Sequence, residues 1–140
     1  MTVTATVAIP EALLTHLESF TYAEAFGIAW PNLAFTPTPG TPYLDVALLP
    51  NETGTPLVGS GASKEHIGFL QIAVMWPAGE GAMSALALAG AIIEHFKKGT
   101  RITTADISFA IEREPWIAPP LPEPDRLRVP VSIPYRVFQA

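Results

Sequence analysis

Cysteine is absent from this 140-residue sequence. The absence removes disulfides, thiolate metal sites and cysteine nucleophiles together. It also agrees with synthesis in a reducing cytoplasm. Charge is scarce: charged residues make up 15% of the chain and hydrophobic ones 49%. That balance fits a domain whose surface is partly covered by neighbours. Positive charge is missing altogether before Lys64, where Glu11, Glu18, Glu24, Asp45 and Glu52 stand without a lysine or arginine. From Lys64 onward eight acids balance eight bases, leaving a net charge of −5. A nucleic-acid binder needs a basic footprint to release phosphate counterions, so sequence-specific readout of nucleic acid is not expected. Long apolar runs are lacking as well. The opening MTVTATVAIPEALL has no basic leader and no sustained apolar core, which argues against a signal peptide. The longest apolar stretch, residues 81–93, is too short to span a bilayer, and no membrane contact is expected.

What is present reads as one domain over residues 1–140. PEALLTHLESF (10–20) predicts a helix, with Pro10 at its first position and Leu13, Leu17 and Phe20 on one face. Short apolar pieces at 28–30 and 43–49, separated by Pro31, Pro37, Pro39 and Pro42, predict two strands joined by an extended connection. The run 66–76 is apolar on both faces, with Leu70, Ile72, Val74 and Trp76 on one and Ile67, Phe69 and Met75 on the other. It predicts a central, covered strand. Residues 82–98 predict a second helix whose core stripe is Met83, Leu86, Ala89/Gly90, Ile93 and Phe96/Lys97, closed by Gly99. A strand is expected over 102–113, with Ile107, Phe109 and Ile111 on one face. In LRVPVSIPYRV (127–137) Leu127, Val129, Val131, Ile133, Tyr135 and Val137 alternate strictly with Arg128, Pro130, Ser132, Pro134 and Arg136. Pro130 and Pro134 share a parity and lack N–H groups, so this is expected to be an edge strand closed on their side. The order α-β-β-β-α-β-β-β implies an α+β fold: an antiparallel or mixed sheet with two helices packed on one face. Trp30, Phe69, Leu70, Ile72, Val74, Leu86, Ile93, Phe96, Val129, Val131, Ile133 and Tyr135 form the expected core.

The candidate chemistry is thin. Gly59-Ser-Gly-Ala-Ser-Lys64 is glycine-rich, but Lys64 is followed by Glu65 and a strand. A phosphate loop needs Lys-Ser/Thr opening a helix. His16, His66 and His95 are isolated, with no second ligand at helical or strand spacing; His95 suits a helix C-terminus. Glu112 and Glu114 share a parity, as solvated carboxylates often do, and no Gly-x-Ser-x-Gly elbow is present. EPWIAPPLPEPDR (114–126) contains a P-x-x-P core without an adjacent base and reads as a stiff connection anchored by Trp116. No residue is nominated as catalytic, cofactor-binding or metal-ligating, and no enzyme activity is expected.

Four stretches together resemble the tail terminator proteins of long-tailed bacteriophages, the minor tail protein U-like family. They are GIAWPNLAFTPTPGTPYLDVALLPN (27–51), HIGFLQIAVMWPAGEG (66–81), AGAIIEHFKKGT (89–100) and VPVSIPYR (129–136). They cover nearly the whole chain. The distinctive combination is Trp-Pro-Asn (30–32), the Gly68/Gln71 strand, the Pro77-x-Gly79-x-Gly81 turn and the final strand. The resemblance implies a homohexameric ring that caps the head-proximal end of the tail tube, stops tube polymerisation and forms the head–tail joining surface. Its implied partners are further copies of itself, the tail tube protein and a head-completion or neck protein. The implied location is the neck end of the virion tail, after synthesis in the bacterial host cytoplasm; a gene transfer agent is another possible setting. On this reading the 50–64 connection is a contact loop, with Asn51, Glu52, Thr53, Gly54, Thr55, Gly59, Ser60, Gly61, Ser63 and Lys64 meeting a neighbour or the tube. The alternatives are another neck protein or, from a different class, a small cytosolic ligand-binding domain or enzyme.

Overall fold

The computed structural model describes residues 4–51, 53–54 and 64–139. Helix α1 (Ala5–Glu18) precedes strands β1 (Gly27–Ala29), β2 (Tyr43–Pro50) and β3 (Lys64–Pro77). Helix α2 (Met83–His95) follows, then β4 (Arg101–Thr103), β5 (Ser108–Ala110), β6 (Trp116–Ile117), β7 (Leu121–Pro122) and β8 (Arg126–Gln139). The main sheet runs β1-β2-β3-β8-β6, with β7 also on β8, and β4 and β5 form a separate antiparallel pair. Only β1 lies parallel to its neighbour, β2, among the paired strands of the main sheet. The fold is α+β with a mixed sheet.

Strands β3 and β8 set the frame. They pair antiparallel from Lys64↔Gln139 to Pro77↔Arg126. Leu70, Ile72, Val74, Val129, Val131 and Ile133 of the facing strands are all fully buried. The alternation of β8 therefore lies with its valine and isoleucine parity on the core, and Leu127 and Tyr135 pack at its two ends half-buried. Tyr135 and Trp30 flank the core rather than fill it.

Several boundaries differ from those the sequence suggested. Helix α1 begins at Ala5, so Pro10 sits inside it. Proline removes the N–H that would bond the carbonyl of Thr6, but Thr6 is exposed and water can serve that carbonyl. The earlier start is held by Ala5, Ala8 and Ile9, all buried. In α2 the buried stripe is Ala85, Leu88, Ala89 and Ile92, with Phe96 at the cap. Met83 is 75% exposed, and Leu86 and Ile93 only flank the core. The helix is apolar nearly all round, so its sequence carries little phase. The expected 102–113 strand is divided: β4 and β5 meet across a turn in which the Thr104 hydroxyl accepts from the N–H groups of Asp106 and Ile107. Its buried parity, Ile107, Phe109 and Ile111, is as read.

β8 is not an edge. The proline-rich connection folds back along it, and β6 and β7 pair with residues 127–132. Proline lacks a donor but keeps its carbonyl, and the carbonyl of Pro130 accepts from the N–H of Ala118 at 2.9 Å. The pairing on this side is short, two residues per strand.

Arg126 opens β8 and is only 6% exposed. Its guanidinium donates to the carbonyls of Thr41 (2.6 Å), Thr38 (3.0 Å) and Met75 (3.4 Å). It also lies 5.1 Å from the centre of the Tyr43 ring. One planar fork thus pins the proline-rich 31–42 segment to the end of the sheet, which suits arginine and not lysine.

Arg126→Met should cost about 3 kcal/mol, because several carbonyls lose a charged donor at once. Arg128→Ala, which breaks a half-exposed 3.0 Å pair with Asp45, should cost under about 1 kcal/mol. Urea denaturation of the two variants measures both. Ile133→Asp should abolish the cooperative transition altogether, since it puts a carboxylate on the fully buried parity.

Candidate assembly surface

The two helices cover one face of the sheet, and the other face is left to side chains and connections. That outer face carries Asp45, Leu49, Ile67, Phe69, Gln71, Arg128, Arg136 and Phe138. Leu49 and Phe138 are nearly half exposed, and Trp116 from β6 is 39% exposed. Phe69 lies here, away from the helices, with its ring edge-on to Trp116 at 5.6 Å. The Arg113 guanidinium sits over the same indole at 5.7 Å. Toward the far end of the β3–β8 ribbon, Arg136 pairs with Glu65 at 2.6 Å and lies over the Phe138 ring at 4.9 Å. Its charge is therefore already matched within the chain.

A groove of about 400 Å³ opens beside this face, lined by Asn51, Ile67, Phe69, Glu112, Arg113 and Arg136 among others. Tyr135 forms part of its wall, and burial raises its phenol above the ordinary value, so the hydroxyl stays protonated at neutral pH. Tyr135 crosses Gly68, its direct partner in the ladder. A Cβ at Gly68 would stand 2.6 Å from the Tyr135 hydroxyl, 2.7 Å from the Leu49 carbonyl oxygen and 2.8 Å from the Pro50 Cα. Two of those atoms are backbone and cannot step aside.

The proposed contact loop enters and leaves through this region. Asn51 donates its N–H to the carbonyl of Ile67 at 2.8 Å, and Gly54 exchanges two backbone bonds with Glu65 at 2.9 and 2.7 Å. The β2–β3 ladder thus continues past Pro50, where the sequence suggested that a loop begins. The Thr53 hydroxyl lies 3.4 Å from His66 Nδ1, and Lys64 is exposed at the start of β3. Glu52, Thr55, Gly59, Ser60, Gly61 and Ser63 lie outside the described residues.

The ionisable side chains of the groove are Glu112, Arg113, Tyr135 and Arg136. Glu112 lines the groove without a histidine or serine beside it, and no group of three or more metal-ligating side chains occurs among the described residues. No helix is long and apolar enough to cross a membrane among those residues. The histidines give the one surprise. His16 and His95, isolated in sequence, are stacked with ring centres 4.2 Å apart. Nothing in local spacing signals a contact across 79 positions.

The family model for the phage tail terminator protein matches residues 8–135. The chain belongs to the phage tail terminator family. No curated protein matches it. A solved structure with 21% sequence identity superposes with a TM-score of 0.73, covering 99% of this chain and 98% of its own. At that identity the likeness speaks for the fold. Family membership makes the chain a structural component of the phage tail. It also gives the motif residues a physical meaning, because they fix backbone geometry. Asn32 of Trp-Pro-Asn adopts φ +56°, and Gly79 and Gly81 of the turn after β3 adopt +84° and +76°. These are left-handed values that side chains resist.

Gly68→Ala should destabilise the terminator by about 2 kcal/mol through overpacking against backbone. Gly90→Ala, where no atom lies within 4 Å of the added Cβ, should be neutral or stabilising by up to about 1 kcal/mol. Paired thermal melts separate the two outcomes.

Proposed function

We propose that the chain forms a homohexameric ring that caps the head-proximal end of the tail tube. There it stops tube polymerisation and presents the surface to which a head-completion or neck protein binds. Family membership carries this reading. Two features of the molecule support it. The two faces of the sheet differ, one bearing helices and the other an apolar, half-open surface, and a closed ring joins unlike patches on successive subunits. The outer face also offers a groove and the exposed apolar side chains of Leu49, Trp116 and Phe138 for a partner to cover.

In this role the chain has no catalytic task and needs no cofactor. The 50–64 connection, whose shoulders are tied into the β2–β3 ladder, meets the neighbouring subunit or the tube, and Lys64 supplies its charge. The assembled protein resides at the neck end of the tail.

Light scattering across concentrations, with negative-stain images of the same samples, tests the ring. Six copies of 15.0 kDa give about 90 kDa, and the particles should show a central hole. A compact dimer at every concentration would contradict the reading.

A further inference from the structure

We propose that His16 and His95 form an acid-released latch between the two helices. Each ring donates from Nε2 to the other residue's main-chain carbonyl, both at 2.7 Å. A carbonyl only accepts, so each Nε2 carries its hydrogen. Ser19 completes the joint: its hydroxyl donates to the His16 carbonyl at 2.6 Å and lies 3.1 Å from His95 Nε2. Among the described residues, the side-chain hydrogen bonds that join α1 and its cap to α2 all pass through these three residues.

The latch is set in a partly dry frame. Phe96 meets the His16 ring edge-on at 4.8 Å, and Phe20 meets His95 at 5.4 Å. Burial holds His16 below the ordinary imidazole range, and the nearby His95 acts in the same direction; only the bond to the His95 carbonyl opposes them. The charged residues nearest the pair along the chain are Glu18 in the last turn of α1 and Glu94, Lys97 and Lys98 at the end of α2, and Arg101 comes from β4. Arg101 lies across an adjoining cleft of about 330 Å³ that His16 and Ser19 also line, and Tyr22 stands behind Phe20.

A proton taken up by His16 goes to Nδ1 and leaves both hydrogen bonds in place. On His16 it sets a charge in this partly dry frame, against a ring stacked at 4.2 Å, and separation of the helix ends returns that charge to water. The released state therefore binds more protons than the latched state, so acid favours release. Because the latched His16 lies below the ordinary imidazole value of about 6.5, the latch is at full strength above that value and loosens as pH falls below it. Release frees the C-terminal half of α1 and the Phe20–Tyr22–Phe26 aromatic cluster; the β3–β8 ladder is untouched.

Amide hydrogen exchange on the full chain between pH 7 and 5, corrected for intrinsic rates, tests this. Ring ¹⁵N shifts of both histidines are followed in the same samples. Uptake of one extra proton on release raises the opening constant of α1 as pH falls below about 6.5, by at most about tenfold per pH unit, with the β3–β8 amides still protected. In His16→Gln/His95→Gln the side-chain amides donate without titrating, and the profile of α1 becomes flat. An α1 that opens no faster at pH 5 than at pH 7 overturns the latch. So does the same profile in the double variant, or a ring whose Nε2 lacks its hydrogen at neutral pH. If the double variant does not fold, the wild-type exchange and ring shifts decide alone.

Discussion

The antiparallel ladder between β3 and β8 is the constraint on which everything else in the chain depends. Its register, Lys64↔Gln139 through Pro77↔Arg126, decides which parity of each strand faces the helices. A slip of one residue would turn Val129, Val131 and Ile133 outward. On one side β3 receives β2, and on the other β8 receives the two short strands of the proline-rich connection. At one end of the ladder Arg126 reaches back to the 38–41 backbone. Toward the other, Gly68 makes room for Tyr135 and for the close passage of Leu49 and Pro50.

That construction leaves a sheet with unlike faces. The helical side is sealed by alanine-rich helices whose small residues, Ala8, Ala12, Ala85 and Ala89, allow close approach. The opposite side is part apolar and part ion-paired, with Asp45–Arg128 and Glu65–Arg136 matched internally. Internally paired charges around exposed Leu49, Trp116 and Phe138 describe a surface that loses little by being covered. This is the physical sense in which a low-charge, cysteine-free chain suits a tail terminator. Its surface is arranged for contact, and its stability rests on packing and on one buried guanidinium.

Much of the fold was legible because strand alternation is a strong local signal. The parity of β8 and the two-sided burial of β3 could be read residue by residue. The phase of α2 could not, since a helix apolar on most sides offers no stripe to read, and burial of Leu88 and Ile92 over Leu86 and Ile93 is decided by the sheet beneath. Pro10 misled in the opposite way: a residue favoured at helix starts is tolerated here in the second turn, where Thr6, the residue whose carbonyl it leaves without a donor, is exposed. Pro130 and Pro134 spoke of a closed edge, yet a carbonyl on the same residue was enough to hold a short strand. The His16–His95 stack and the Arg126 clamp join residues that no spacing rule connects. The proposed assembly surface has no local signature in the sequence, and its expectation came through the resemblance alone. The residues that carried it prove to be positions of unusual backbone, Asn32, Gly79 and Gly81, or of forced close approach, Gly68.

The role proposed for this chain is to end the growth of a tail tube. Its most direct test is the length distribution of tails, by electron microscopy, in particles assembled with and without the chain. The account predicts tubes of one fixed length when it is present, and overlong tubes of scattered length when it is removed. Tubes of the same fixed length in both preparations would contradict it.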